Sequence, residues 1–220
     1  MPRLSVVAPS LHLANLVEIP INDRKMSYGW TCSAVDCDAG LAGHRDRPEA
    51  RAYAGQHEAH RATSTFAPGS LVVCVGPAGS GKSHFAGAFP YHWVVSLDEM
   101  RERLCGDGGN QEVTPQAVHI QNSLVASRME YGQTTVVDGT NVEADKRASL
   151  VALARKHQRN LAAVLFQTDL DTCAELNAQR TGSRQVPLST LVWQHGQTPT
   201  PQQLADEGFT DIHTVRLQSS

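Results

Sequence analysis

Residues 71–83 read Leu-Val-Val-Cys-Val-Gly-Pro-Ala-Gly-Ser-Gly-Lys-Ser, an apolar run that passes straight into G-x-x-x-x-G-K-S. This motif constrains the fold because it works only between a strand and a helix. Gly76, Gly79 and Gly81 permit backbone conformations that a side chain blocks. The turn aims successive N–H groups inward, so that the backbone of Gly76, Pro77, Ala78, Gly79, Ser80 and Gly81 forms a nest for phosphate oxygens. Lys82 adds a point charge near the β- and γ-phosphates, and the Ser83 hydroxyl can ligate Mg²⁺. A helix over 83–89 directs its positive N-terminus at the same anion. A chain of this length shows the pattern by chance roughly once in a hundred. The motif therefore implies a nucleoside triphosphate, and leaves open what the triphosphate is used for.

With 220 residues there is room for one full α/β domain and a small appendage. The net charge of −3 provides no global basic field, so any nucleic-acid contact must come from a local patch. Cys32, Cys37, Cys74, Cys105 and Cys173 are odd in number and scattered, which does not describe a disulfide framework and fits a reducing compartment. Cys74 lies inside the apolar run and reads as a small core hydrophobe. No apolar run approaches the roughly 18 residues of a membrane span. The segment from Leu4 to Val17 is broken by His12 and Asn15 and makes a poor signal peptide. A cytoplasmic protein with no membrane partner is expected.

The composition changes near residue 66. Before it, periodicity is weak and Cys, His and charged residues mix. Thr63, Ser64 and Thr65, with Pro68, Gly69 and Ser70, read as a linker. This divides the chain into an N-terminal extension over 1–66 and a catalytic-type domain over 67–220. In the second part, strands at 71–75, 93–96, 134–137, 161–167 and 212–217 alternate with helices at 114–131, 144–157, 171–180 and 187–195. Thr114 is a candidate N-cap with Pro115 in the first turn, and Ala117, Ile120, Leu124 and Val125 fall near one helix face. Thr200, Pro201 and Gln203 form a capping-box start for a short helix that ends at Gly208. Alternation of this kind predicts a parallel sheet covered on both faces, with ligands beyond the carboxyl ends of the strands.

That rule brings three segments together. Asp98 leaves the second strand and Arg101 follows one helical turn later on the same face. A carboxylate there can take a proton from an attacking hydroxyl, and an arginine can hold an acceptor phosphate. Their bland alternative is an N-cap and a solvated arginine. Asp138 ends a β-branched strand, where a Walker-B acid reaches Mg²⁺. Asn141 either orients Asp138 or the acceptor, or caps the next helix. Arg180 and Arg184 flank a Gly- and Ser-rich connector suited to a lid that closes over the nucleotide phosphates and brings both guanidinium groups to them, or to a plain surface loop.

From about residue 70 to 217 the chain resembles the P-loop kinases that include phage polynucleotide kinase and the kinase module of bacterial RNA end-healing enzymes. Four features carry the likeness: the P-loop, Ser-Leu-Asp98-Glu-Met-Arg101, Val-Val-Asp138-Gly-Thr-Asn141, and the lid from Arg180 to Arg184-Gln-Val-Pro. Gln202 to Phe209 before the final strand is also similar to the bacterial module. The resemblance implies an α/β parallel-sheet P-loop NTPase of kinase-like type, with ATP and Mg²⁺ as cofactors and Ser83 and Asp138 on the metal. It implies that Asp98 is the general base toward a 5′-hydroxyl, that Arg101 contacts the acceptor phosphate, and that Arg180 contacts the nucleotide phosphates. Asp169-Leu-Asp171-Thr172 superficially matches a phosphatase motif, but its threonine is one place early and it reads as a strand exit into a helix.

In the extension, Cys32 and Cys37 precede His57 and His60, which share one face of a helix expected over 48–62. Two thiolates and two imidazoles can close a tetrahedral zinc site, with His44 as a competing ligand. The spacing departs from the usual pattern, and stray Cys and His in a loose extension is the other reading. Three functions are weighed: phosphoryl transfer from ATP to the 5′-OH of RNA or DNA, a small-molecule or toxin-like kinase, and a nucleotide-dependent switch or adaptor without transfer.

Overall fold

In the computed structural model, the residues described are 3–6, 14–22, 25–32, 40–44, 46–51, 54 and 64–218. The main sheet has six strands in the order β1-β9-β8-β5-β7-β6. These are β1 (Arg3–Val6), β5 (Leu71–Val75), β6 (Val94–Ser96), β7 (Thr135–Asp138), β8 (Leu161–Phe166) and β9 (Asp211–Gln218). β5 to β9 are mutually parallel, as the strand–helix alternation predicts. β1 joins the far edge antiparallel to β9.

The central strands read as continuous apolar runs because both faces are covered. Every residue of β5 and β8 is buried. Alternate side chains serve opposite layers. Val72 and Cys74 pack with Phe66, Phe85, Ala86 and Phe89, the last group centred on α1 (Lys82–Ala86). Leu71, Val73 and Val75 pack against α3 (Thr114–Glu130), α4 (Ala144–Lys156) and α7 (Pro201–Glu207), through Val125, Met129, Leu150, Val151, Ala154 and Leu204. Each fully buried Leu, Val or Phe of this kind contributes about 1.5–3 kcal/mol of transfer free energy. The remaining helices are α2 (Leu97–Cys105), α5 (Leu170–Ala178) and α6 (Leu188–Gly196).

Local expectations meet mixed outcomes. Thr200 and Gln203 form the expected capping box, Pro201 sits in the first turn, and Gly208 closes α7 in the left-handed region. Asp169 caps α5 by accepting from the Thr172 N–H at 2.8 Å, which disposes of the phosphatase likeness. Thr114 is not a cap. The N-cap of α3 is Val113, because the Thr114 hydroxyl is taken by Arg101 Nε at 3.0 Å. The buried face of α3 is Ala117, Gln121, Val125 and Met129, at i, i+4 spacing, while Ile120 and Leu124 lie exposed.

Residues Ala14–Asn22, Lys25–Cys32 and Gly40–His44 form β2, β3 and β4 of a separate three-stranded antiparallel sheet. Weak periodicity hid these strands, although Met26, Tyr28 and Trp30 do alternate. Residues 47–51 are helical, overlapping the start of the helix expected over 48–62. Cys32 ends β3, and Cys37, His57 and His60 lie outside the described residues. Among the described residues no three Cys, His, Asp or Glu side chains gather as metal ligands, and no helix is long and apolar enough to cross a membrane.

Candidate active site

The chain leaves β5 for β6 and β7 on one side and then crosses to β8 and β9 on the other. The order reverses at β5, so the switch point at which such sheets take their ligands lies beyond its carboxyl end. The P-loop, the turn after β7 and the start of α2 all emerge there.

The P-loop is held from three directions. Gly79 has φ +75, and a Cβ on it would overlap the Cys173 carbonyl in the first turn of α5. Gly81, with φ +97, stands immediately before α1. The Ala78 N–H donates to Gln194 Oε1 of α6 at 2.9 Å, and the Thr168 hydroxyl donates to the Ser80 carbonyl at 3.2 Å. Lys82 is buried and donates to the Pro77 carbonyl at 2.5 Å and the Ser80 hydroxyl at 3.3 Å. Burial lowers its pKa to about 8, against the pull of Asp138. A cation curled onto its own loop, with acceptors that a phosphate can replace, fits a triphosphate.

Asp138 ends β7 and accepts a hydrogen bond from the Ser83 hydroxyl. Burial raises its pKa, offset by the Lys82 charge and the Ser83 bond, while the Asp98 charge raises it further and Arg180 lowers it. Ser96 pairs with Asp138 across β6 and β7, which sets the start of α2, with Asp98 in its first turn, beside the end of β7 that carries Asp138. One hydroxyl and one carboxylate suit Mg²⁺, which keeps several waters and completes its shell with substrate phosphates.

The turn after β7 is stitched to the P-loop strand. Asn141, at φ +45, donates from Nδ2 to the Cys74 carbonyl at 2.8 Å, and the Gly76 N–H donates to the Thr140 carbonyl at 2.9 Å. Asn141 does not cap α4, whose N-cap is Glu143. Buried Arg147 holds this turn from below. It donates to the Asn141 and Val142 carbonyls at 2.9 and 2.7 Å and pairs with both oxygens of Glu207.

Asp98 lies in the first turn of α2 with its side chain 61% exposed, although Oδ1 accepts from Arg101. Arg101 is the reverse. Its side chain is only 8% exposed, with Nη1 donating to Asp98 at 2.5 Å and to the Gly108 carbonyl at 3.3 Å. The solvated arginine of the bland reading is therefore excluded. In the connector, Arg180 follows the last turn of α5, its N–H donating to the Asn177 carbonyl at 3.1 Å. Arg184 faces Glu102 of α2, donating at 2.7 Å.

Sequence reasoning missed Gln194, Thr168, Arg147 and Glu102. Arg147 had a signal, since it stands on the same helical stripe as Leu150, Val151 and Ala154. Gln194 had none, because its partner is 116 positions away.

A strand, phosphate nest, buried lysine and hydroxyl–carboxylate pair define a P-loop nucleotide-binding protein of kinase-like architecture. Residues 71–200 match the AAA_33 family model, an AAA domain, and the chain belongs to this P-loop kinase-like family. A crystal structure described as a "putative kinase" from Chloroflexus aurantiacus superposes with a TM-score of 0.51 at 14% identity, covering 68% of this chain and 89% of its own. The tunicamycin resistance protein of Deinococcus radiodurans is similar at TM-score 0.39 and 16% identity, covering 69% of this chain and 99% of its own. A comparison with curated proteins finds no match.

Proposed function

We propose that the chain transfers the γ-phosphate of ATP to a hydroxyl, with the 5′-OH of a polynucleotide as the acceptor. The observation that carries this reading is the exposed Asp98 carboxylate at the start of α2, two residues past the Ser96 that pairs with Asp138 at the carboxyl ends of β6 and β7. A nucleotide switch has no use for a carboxylate at that place. In this reading Lys82 and the P-loop amides hold the phosphates, Ser83 and Asp138 hold Mg²⁺, Asp98 takes the hydroxyl proton, and Arg180 steadies charge on the transferring group. Asn141 keeps the Asp138 turn in place.

The test is transfer of labelled phosphate from ATP to a 5′-OH oligonucleotide. Transfer by the wild type, with a loss of about a hundredfold or more in Asp98→Ala, is expected. No transfer, or equal transfer by the variant, removes the reading.

One observation favours a small-molecule acceptor on the same machinery. Arg101 spends Nε and Nη1 on Thr114, Asp98 and Gly108, which leaves little of it for an acceptor phosphate. Labelled transfer to nucleosides, sugars or an antibiotic hydroxyl, with none to oligonucleotides, selects that branch.

A further inference from the structure

We propose that residues 106–110 are the docking seat of the lid, and that Glu102, Asp107 and Gly109 are positioning residues coupling nucleotide capture to the setting of Asp98. The identity of Asp98 as the acceptor carboxylate rests on the function proposed above. The seat itself does not.

The lid is clamped at its base. Asn177, at the end of α5, donates to the Val186 carbonyl at 2.7 Å and accepts from the Val186 N–H at 3.0 Å. Residues 178–185 therefore form a closed loop with one 3₁₀ turn, Gly182–Arg184, at its tip. That tip rests on α2 and the loop after it. The Ser183 hydroxyl donates to the Asp107 carboxylate, and Arg184 Nη2 donates to Glu102 Oε2 at 2.7 Å. Gly109 passes directly beneath Ser183. A Cβ there would overlap the Ser183 carbonyl, so only a residue without a side chain lets the tip settle.

The seat is braced from within. Asp107 also accepts from the Gly109 N–H at 2.9 Å, which fixes its carboxylate. The Ser183 bond, then the Gly109 amide, hold its carboxyl below the ordinary range. Arg101 ties the seat to the acceptor side, since one guanidinium nitrogen donates both to the Gly108 carbonyl and to Asp98. A Cβ on Gly108 would lie 2.9 Å from the Asp98 carbonyl, so the seat packs on the turn that carries Asp98. At the other end of the lid, Arg180 follows directly on α5, its N–H bonded to the Asn177 carbonyl at 3.1 Å, and the Cys173 carbonyl of the same helix lies against Gly79 of the P-loop.

A nucleotide that draws in Arg180 thereby favours the docked tip, and the docked tip fixes the loop that Arg101 fastens to Asp98. By linkage, the seat must in turn support nucleotide affinity. The ion pair is half exposed on both sides, and such pairs are weak, so the coupling is modest.

The experiment uses a non-hydrolysable ATP analogue with Mg²⁺ on the full chain, reading affinity and amide hydrogen exchange. In the wild type the analogue should slow exchange at both 181–185 and 106–110. Gly109→Ala should weaken binding about three- to tenfold and abolish the slowing at 106–110, with the circular dichroism spectrum and cooperative unfolding of the analogue-free protein retained. Glu102→Arg should weaken binding by about threefold or more, and the swapped pair Glu102→Arg/Arg184→Glu should recover most of it. A structural defect alone gives no such rescue. Should Gly109→Ala fail to fold, the charge swap decides by itself. Wild-type affinity and exchange in Gly109→Ala, or a swap that rescues nothing, overturns the proposal. None of these readings needs an acceptor, so absent phosphate transfer with an intact seat sinks only the proposed function.

Discussion

Lys82 sets the pH behaviour of the site. With its pKa near 8 in the nucleotide-free protein, it is cationic at neutral pH and increasingly neutral above that. A triphosphate needs the ammonium, so binding above pH 8 takes up a proton. Affinity for the ATP analogue should hold steady from pH 6.5 to about 7.5 and fall above about 8, by at most about tenfold per pH unit. Calorimetry in two buffers of different ionisation enthalpy should show proton uptake at pH 9 and little at pH 7. Lys82→Arg should flatten the profile, because guanidinium does not titrate there. A flat wild-type profile contradicts this account. Stability of the nucleotide-free protein has the opposite sign. The unfolded lysine titrates near 10.4. Between about 8 and 10.4 the unfolded chain binds more protons, and this residue's contribution to stability rises with pH. The P-loop residues were legible because their chemistry is local. The confinement of Arg101 was not, since two of its partners, Gly108 and Thr114, sit in a loop and a helix start whose return to α2 no spacing reveals.

At the level of elements, α5 serves as the wall behind the P-loop. Its cap is Asp169, which satisfies both the Thr172 N–H and the Thr172 hydroxyl. Asp169→Ala should cost about 1 kcal/mol in urea denaturation, and Asp169→Asn a fraction of that. The Cys173 carbonyl that confines Gly79 belongs to the same first turn, so the alanine variant should also bind the ATP analogue more weakly. A loss below about 0.3 kcal/mol refutes the cap as a support. Such starts are readable where the capping residue makes only local bonds, as Thr200 and Asp169 do. Thr114 shows the limit, because a distant arginine claims its hydroxyl. The strands of the N-terminal sheet escaped because their alternation is short and interrupted by Gly and Pro.

For the molecule as a whole, the nucleotide should act as a structural component. At a hundred times its dissociation constant the ATP analogue should stabilise the folded state by about 2.7 kcal/mol. For a chain of this size that raises the melting temperature by about 5–10 °C. Lys82→Ala should remove most of the shift, and an unchanged melting temperature in the wild type excludes tight binding. The parallel sheet was legible from alternation alone, as strands with both faces buried announce themselves by apolar runs. The strand at the sheet's far edge was not, because it comes from a segment that alternation did not mark.

That edge has a consequence for how the chain is made. Arg3 pairs with Gln218 and Val6 with Val215, across almost the full sequence. Contacts of such separation close late, because the loop entropy is lost before the pairing rewards it. During synthesis β1 leaves the ribosome before the other strands described, and the strand it pairs with, residues 211–218, comes last. The edge strand therefore waits through the making of every other element. A nascent chain cut short before β9 lacks the strand that β1 pairs with, and β1 is left as an unpaired strand open to capture by other chains.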